Sequence, residues 1–146
     1  MSRNDPAKTR DDYLWYTTIT TRWMDNDVYG HVNNVIYYSF FDTVIAEFLR
    51  GEGGFDFETS EVIGLAVDSS CRYRRAIAFP QVVHAGLRVA HLGNSSVRYE
   101  VGIFTDDEDE ASADGYFVHV FVIRETNTPT PIPPGIRAAM ERMKVA

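Results

Sequence analysis

The chain's chemically promising residues are concentrated in one run, Arg22-Trp23-Met24-Asp25-Asn26-Asp27-Val28-Tyr29-Gly30-His31-Val32-Asn33-Asn34. Two carboxylates, a histidine and an asparagine pair stand directly before a long apolar stretch. If that stretch is a helix, its first N–H groups lack intrahelical partners and its dipole is positive toward this run. Donors of that kind can polarise a carbonyl and stabilise a developing oxyanion. A carboxylate held beside them can act as nucleophile or as general base on water. The same residue types also build ordinary Asx turns and helix caps, so Asp25 or Asp27 can equally be structural. Asp25 is the better structural candidate, paired with Arg22, and His31 can be a packing or turn residue.

The flanking elements follow from local patterns. Residues 14–23 are rich in β-branched and aromatic types and predict a strand. Asn26, Gly30, Asn33 and Asn34 supply the turn chemistry that breaks it, and Asn33 or Asn34 suits the N-cap of the next element. Residues 35–50 predict a helix, with Tyr37, Phe41, Val44, Ile45 and Phe48 on one face. Val35, Tyr38, Phe40 and Ala46 widen that apolar surface, so the helix must be covered on several sides. Glu47 reads as a solvent-side residue. Gly51, Gly53 and Gly54 end the helix.

Four strands are predicted at about 63–75, 81–92, 96–104 and 115–124. Val97, Tyr99, Val101 and Ile103 alternate cleanly with polar residues or glycine, and Val83, Ala85, Leu87 and Val89 form a similar stripe. Gly93-Asn94 signals a tight hairpin. Residues 116–123 are apolar on both faces, as in a central strand. A proline-rich stop precedes a short helix over 136–143. The fold class is therefore α+β, a strongly curved antiparallel five-stranded sheet wrapped around one long central helix. Residues 1–12 read as a flexible tail and 13–146 as a single domain.

Composition sets outer bounds. The 146 residues, 45 % of them hydrophobic, suffice for one core without a disulfide or metal. The net charge of −7 owes most to the acidic run 106–110, read as a solvated hairpin loop. No basic tract suits nucleic acid, and no run approaches the ~20 apolar residues that span a bilayer. The N-terminus lacks a signal-type apolar core, so a cytoplasmic soluble protein is expected. Cys71 is alone and reads as a core residue. His84, His91 and His119 are scattered, without ligand spacing, and no metal or cofactor is expected.

The run D-N-D-V-Y-G-H-V-N-N-V-I-Y-Y-S-F-F-D closely resembles the signature of the 4-hydroxybenzoyl-CoA thioesterase-like acyl-CoA thioesterases of the hotdog superfamily. The resemblance extends through the L-G-N-S-S-V turn at 92–97 and the I-P-P-G-I-R segment before the last helix. It implies a hotdog fold and hydrolysis of an acyl-CoA, a reaction that needs a carboxylate and oxyanion donors but no cofactor. It implies Asp27 as the catalytic carboxylate, with the Asn34 backbone N–H facing the thioester carbonyl. Gly30, His31, Asn33 and Tyr37 are implied as residues lining the site. Arg72, Arg74 and Arg75, clustered at one strand end with Arg98 further on, are candidates for the CoA phosphates. The exposed edges of a five-stranded sheet, like the resemblance itself, imply a homodimer or homotetramer. The alternatives are an acyl or CoA binder without turnover and a thioesterase acting on acyl carrier protein.

Overall fold

A computed structural model of the protein describes residues 5–145. In chain order the elements are β1 (Trp15–Thr20), α1 (Asn34–Gly51), β2 (Val62–Tyr73), β3 (Val82–Leu92), β4 (Ser96–Thr105), β5 (Ala113–Ile123), β6 (Thr128–Pro129) and α2 (Pro134–Arg142). The strands pair antiparallel in the order β1-β3-β4-β5-β2. Beside the expected five, the two-residue β6 pairs with the end of β5. The β1 strand is shorter than predicted, because Trp23–Asp25 turns as one 3-10 unit.

The sheet curls around α1. Tyr37, Phe41, Val44, Ile45 and Phe48 are buried on it, together with Phe40 and Leu49. They meet the inward stripes of the strands. Val83, Ala85, Leu87 and Val89 of β3 and Val97, Tyr99, Val101 and Ile103 of β4 are all completely buried. Each fully buried side chain of this size contributes ~1.5–3 kcal/mol by leaving water. Coverage of α1 is not complete: Val35 is exposed, and Ser39 and Asp42 on the same side are exposed too. One wall of the helix is open within a single chain.

The strand β2 is an edge of the sheet, and its middle is exposed. A bulge leaves Val67 without a register partner on β5, and its side chain is 58 % exposed.

The chain before β1 departs from the flexible tail read from the sequence. Residues 1–4 lie outside the described residues. Lys8 O accepts from Ala111 N at 2.8 Å, and Arg10 N donates to Asp109 O at 3.1 Å. The Arg10 guanidinium donates to the Glu108 and Asp106 carbonyls, both at 2.8 Å. Tyr13 packs edge-on against Phe104, forming a small second cluster on the outer face of the sheet. The acidic hairpin thus offers carbonyls to a basic side chain far away in sequence, which hydropathy alone does not reveal.

Candidate active site

The signature segment closes into a compact hairpin. Asp27 N donates to His31 O at 2.9 Å, and Gly30 N donates to Asp27 O at 3.0 Å. Gly30 takes φ +79°, a left-handed conformation that glycine adopts without penalty. The base of the hairpin is pinned twice: Asn33 N donates to Asp25 O at 2.9 Å, and Val32 N donates to Ile77 O at 2.7 Å. Asn26 Oδ1 accepts from Phe79 N at 3.0 Å, tying the hairpin to the chain before β3.

The two aspartates divide their roles. Asp25 is buried and structural: its carboxylate accepts from Arg22 N and the Arg22 guanidinium at 2.8–3.0 Å. Asp27 is half-buried, and Oδ1 accepts from Tyr29 N at 2.9 Å in an Asx turn. Its Oδ2 has only a long contact to Asn33 Nδ2, at 3.5 Å. That length lies at the outer limit of a hydrogen bond, so lone pairs on Oδ2 stay available. Asp27 therefore serves the turn with one oxygen and leaves the other open.

Asn33 joins the carboxylate to the helix. Its Oδ1 caps α1 by accepting from Val35 N at 3.1 Å, while its Nδ2 reaches Asp27. Ile36 N goes to Asn33 O. For Asn34 N–H, at the head of α1, no acceptor occurs among the described residues. An unpaired donor at the positive end of a helix of 18 residues lies next in sequence to the amide that holds the carboxylate.

An open pocket of about 310 Å³ adjoins this point, lined by His31, Asn34, Tyr37, Tyr73, Arg74 and Arg75 among others. Tyr73, which no sequence motif singles out, donates from its hydroxyl to Asn34 O at 3.1 Å and stacks edge-on against Tyr37 at 5.0 Å. His31 is exposed. Val28 and Tyr29 at the hairpin tip are 97 % and 83 % exposed.

The arginines are less free than their clustering suggests. Arg72 donates to Asp114 Oδ1 at 2.8 and 3.1 Å, and Arg74 donates to Asp114 Oδ2 at 2.6 Å. Asp114 is buried, so this fork compensates a charge the fold has desolvated. Arg72 also pairs with Asp5 at 3.2 Å and does not line the pocket. Arg75 pairs with Glu108 at 2.9 Å, while Arg98 lies over the Tyr116 ring at 3.9 Å. Glu47 pairs with Arg50 at 2.8 Å near the far end of α1. Burial pushes the Cys71 thiol up to about 12, so it stays protonated and weakly nucleophilic at neutral pH. Among the described residues, no three of His, Cys, Asp and Glu stand close enough to hold a metal ion, and no helix is long and apolar enough to cross a membrane.

A curled antiparallel sheet wrapped around one long helix is the hotdog fold of the thioesterases, and solved structures share it. The PA5185 protein of Pseudomonas aeruginosa strain PAO1 is 51 % identical with a TM-score of 0.95, over 97 % of this chain and 99 % of that one. The PA2801 protein of Pseudomonas aeruginosa is 31 % identical with a TM-score of 0.81, over 87 % of this chain and 98 % of that one. DHNA-CoA thioesterase from Staphylococcus aureus shares the fold at 20 % identity and a TM-score of 0.77, over 87 % of this chain and 88 % of that one. No curated protein matches the chain. The sequence pattern of the thioesterase-like superfamily matches residues 21–140, and the chain belongs to that superfamily.

Proposed function

We propose that the protein hydrolyses acyl-CoA thioesters to the free acid and CoA, with Asp27 as the reacting carboxylate and Asn34 N–H as the oxyanion donor. The observation that carries this reading is the Asn33 amide, which caps α1 at one end and touches Asp27 Oδ2 at the other. This contact supports a carboxylate held near the free donor, since Asn33 and Asn34 are adjacent in sequence. In the reaction, the thioester oxygen accepts from Asn34 N–H as negative charge develops on it. Asp27 Oδ2 either attacks the carbonyl carbon, giving an anhydride that water then cleaves, or takes a proton from the attacking water. The C–S bond breaks with its electron pair on sulfur. A thiol with an ordinary pKa of about 8.5 leaves with little need of a proton donor.

Support for CoA rather than another thiol comes from relatives of the same fold named as DHNA-CoA and gentisyl-CoA thioesterases. Gly30, His31, Asn33 and Tyr37 shape the approach to the carbonyl. The guanidinium of Arg75, half-exposed beside the pocket, is the arginine best suited to a phosphate, followed by Arg74. The single chain gives the site one wall only, with Val28 and Tyr29 projecting into solvent. A second copy of the chain, paired along β2, supplies the other wall and covers the open side of α1. Soluble, cytoplasmic operation as a homodimer or homotetramer follows from this reading.

The test is thiol release across a panel of acyl-CoAs, with the same acyl groups on acyl carrier protein. Turnover of the CoA esters above the carrier-protein esters supports the reading. Exclusive turnover of carrier-protein esters would reassign the thiol, and tight binding without release would make the protein a binder.

A further inference from the structure

The peptide unit that begins α1 is held from outside the helix. A carbonyl in this place ordinarily accepts from the N–H one helical turn on, and its second lone pair can take another donor. For Asn34 O that other donor is the Tyr73 hydroxyl at 3.1 Å, delivered by β2 from 39 positions along the chain. Asn34 O and Val35 N–H belong to one planar amide. Val35 N–H is bound by Asn33 Oδ1 at 3.1 Å, so this amide is gripped at both ends. The preceding amide carries the free Asn34 N–H, and its carbonyl, Asn33 O, accepts from Ile36 N at 2.9 Å. Both amides that meet at the Asn34 Cα are therefore fixed, and the direction of the free N–H is fixed with them.

The brace is itself held in place. The Tyr73 ring packs edge-on against buried Tyr37, with centroids 5.0 Å apart and an interplanar angle of 88°. Further along the same segment, Ile77 O accepts from Val32 N at 2.7 Å. One short stretch of chain thus anchors the signature on both sides of Asn33. Burial first, then the neighbouring Cys71 thiol and Tyr38, push the Tyr73 pKa up, so the hydroxyl keeps its proton and remains a donor at neutral pH.

We propose that Tyr73 is a positioning residue for thioester hydrolysis: its hydroxyl, through Asn34 O, aims the Asn34 N–H at the developing oxyanion. The proposal rests on the thioesterase reading and on Asn34 N–H as the oxyanion donor within it. Such a donor is effective when it is aligned before charge develops, because aligning it during the reaction adds to the barrier. Loss of a whole oxyanion donor lowers kcat ~10²–10³-fold, and loss of its alignment alone lowers kcat by less. An interaction that matters mainly in the transition state leaves KM nearly unchanged.

Tyr73→Phe tests this, since it keeps the ring against Tyr37 and removes only the hydroxyl. Asn34 O keeps its place in the helix, so the variant should melt with the wild type. Expected is a fall in kcat of roughly 5- to 30-fold, with KM changed by less than about twofold. A second readout needs no turnover. The ketone analogue of the best acyl-CoA substrate, with CH2 in place of the thioester sulfur and an isotopic label at the carbonyl, is bound at saturation and its C=O stretch is read by infrared difference spectroscopy. Binding to the wild type should move the stretch to lower wavenumber, and the displacement should shrink in Tyr73→Phe. Wild-type kcat with an undiminished carbonyl displacement in Tyr73→Phe overturns the proposal. Losses that track a lowered melting temperature or weaker analogue binding overturn it too, because they make the hydroxyl a packing contact. Either result leaves the thioesterase reading standing. A wild type that hydrolyses no acyl-CoA refutes the thioesterase reading, and the role of Tyr73 falls with it.

Discussion

At the residue scale, the central distinction is between two aspartates two positions apart. Asp25 is consumed by Arg22, whereas Asp27 keeps Oδ2 nearly free. Replacing Asp27 with Asn preserves the Asx turn, because the amide oxygen still accepts from Tyr29 N. Asp27→Asn should therefore remain folded by circular dichroism while losing ~10²–10⁴ in kcat. Near wild-type kcat in that variant would end the proposed mechanism. Single turnover in heavy-oxygen water separates the two roles, since label appears in the Asp27 side chain only if the carboxylate attacks directly. His119 offers a second prediction at this scale. Its folded pKa is depressed, so its contribution to stability is intact above the unfolded value of 6.5. Stability then falls as pH drops toward about 4, because the unfolded chain binds a proton the folded one refuses. The loss should amount to about 3 kcal/mol and level off below that window. Urea melts at pH 7 and pH 4.5 should show a steeper decline for the wild type than for Tyr99→Phe/His119→Phe.

At the element scale, the N-terminus of α1 is where the helix cap and the proposed chemistry share one side chain. Asn33→Ala removes both the cap to Val35 N and the contact to Asp27. It should cost about 1 kcal/mol of stability by denaturant titration. Asn33→Ser or Asn33→Asp should restore the cap without restoring the amide donor to Asp27. If activity returns in step with stability, Asn33 is only a cap. If stability returns while kcat/KM stays low, the amide positions the carboxylate. Both helix and strand patterns were legible in the sequence, since α1 and the stripes of β3 and β4 follow from apolar spacing within about a dozen residues. The sequence narrows the N-cap to Asn33 or Asn34, and only the hydrogen bond to Val35 N decides between them.

At the scale of the whole molecule, the open side of α1, the bulged Val67 and the projecting Val28 and Tyr29 form surface that a single chain leaves in water. An exposed edge strand carrying apolar side chains is a template for pairing. Light scattering should report a dimer or tetramer at micromolar concentration. Val67→Lys should weaken the assembly by placing a charge on the exposed edge strand proposed to pair, and activity should fall with the dimer fraction. Dimers mixed from wild type and Asp27→Asn should keep about half the activity per dimer, as two equivalent sites require. A fully active monomer would contradict the shared site. EDTA should leave activity unchanged, since the proposed chemistry runs through a carboxylate and backbone donors; loss restored by one divalent metal would overturn it.

The sequence by itself determined the main elements and their order, and pointed to the segment proposed to bear the chemistry, because apolar periodicity, turn residues and caps act over short stretches of chain. The division of labour between Asp25 and Asp27 was partly readable for the same reason, as Arg22 is three residues from its partner. Tertiary structure decided everything that depends on which strands become neighbours. Arg72 reads as a free cation, yet the β2–β5 register sets it directly opposite Asp114, and the pair neutralises itself. The segment before β1 reads as polar tail, yet the β4–β5 hairpin presents carbonyls that hold it. His119 reads as one scattered histidine, yet β4 brings Tyr99 to one of its nitrogens and α1 leaves a pocket at its ring. These outcomes turn on contacts between residues 20 to 98 positions apart. Local patterning carries no record of such pairings, because they are fixed by strand register and by the packing of the sheet around α1.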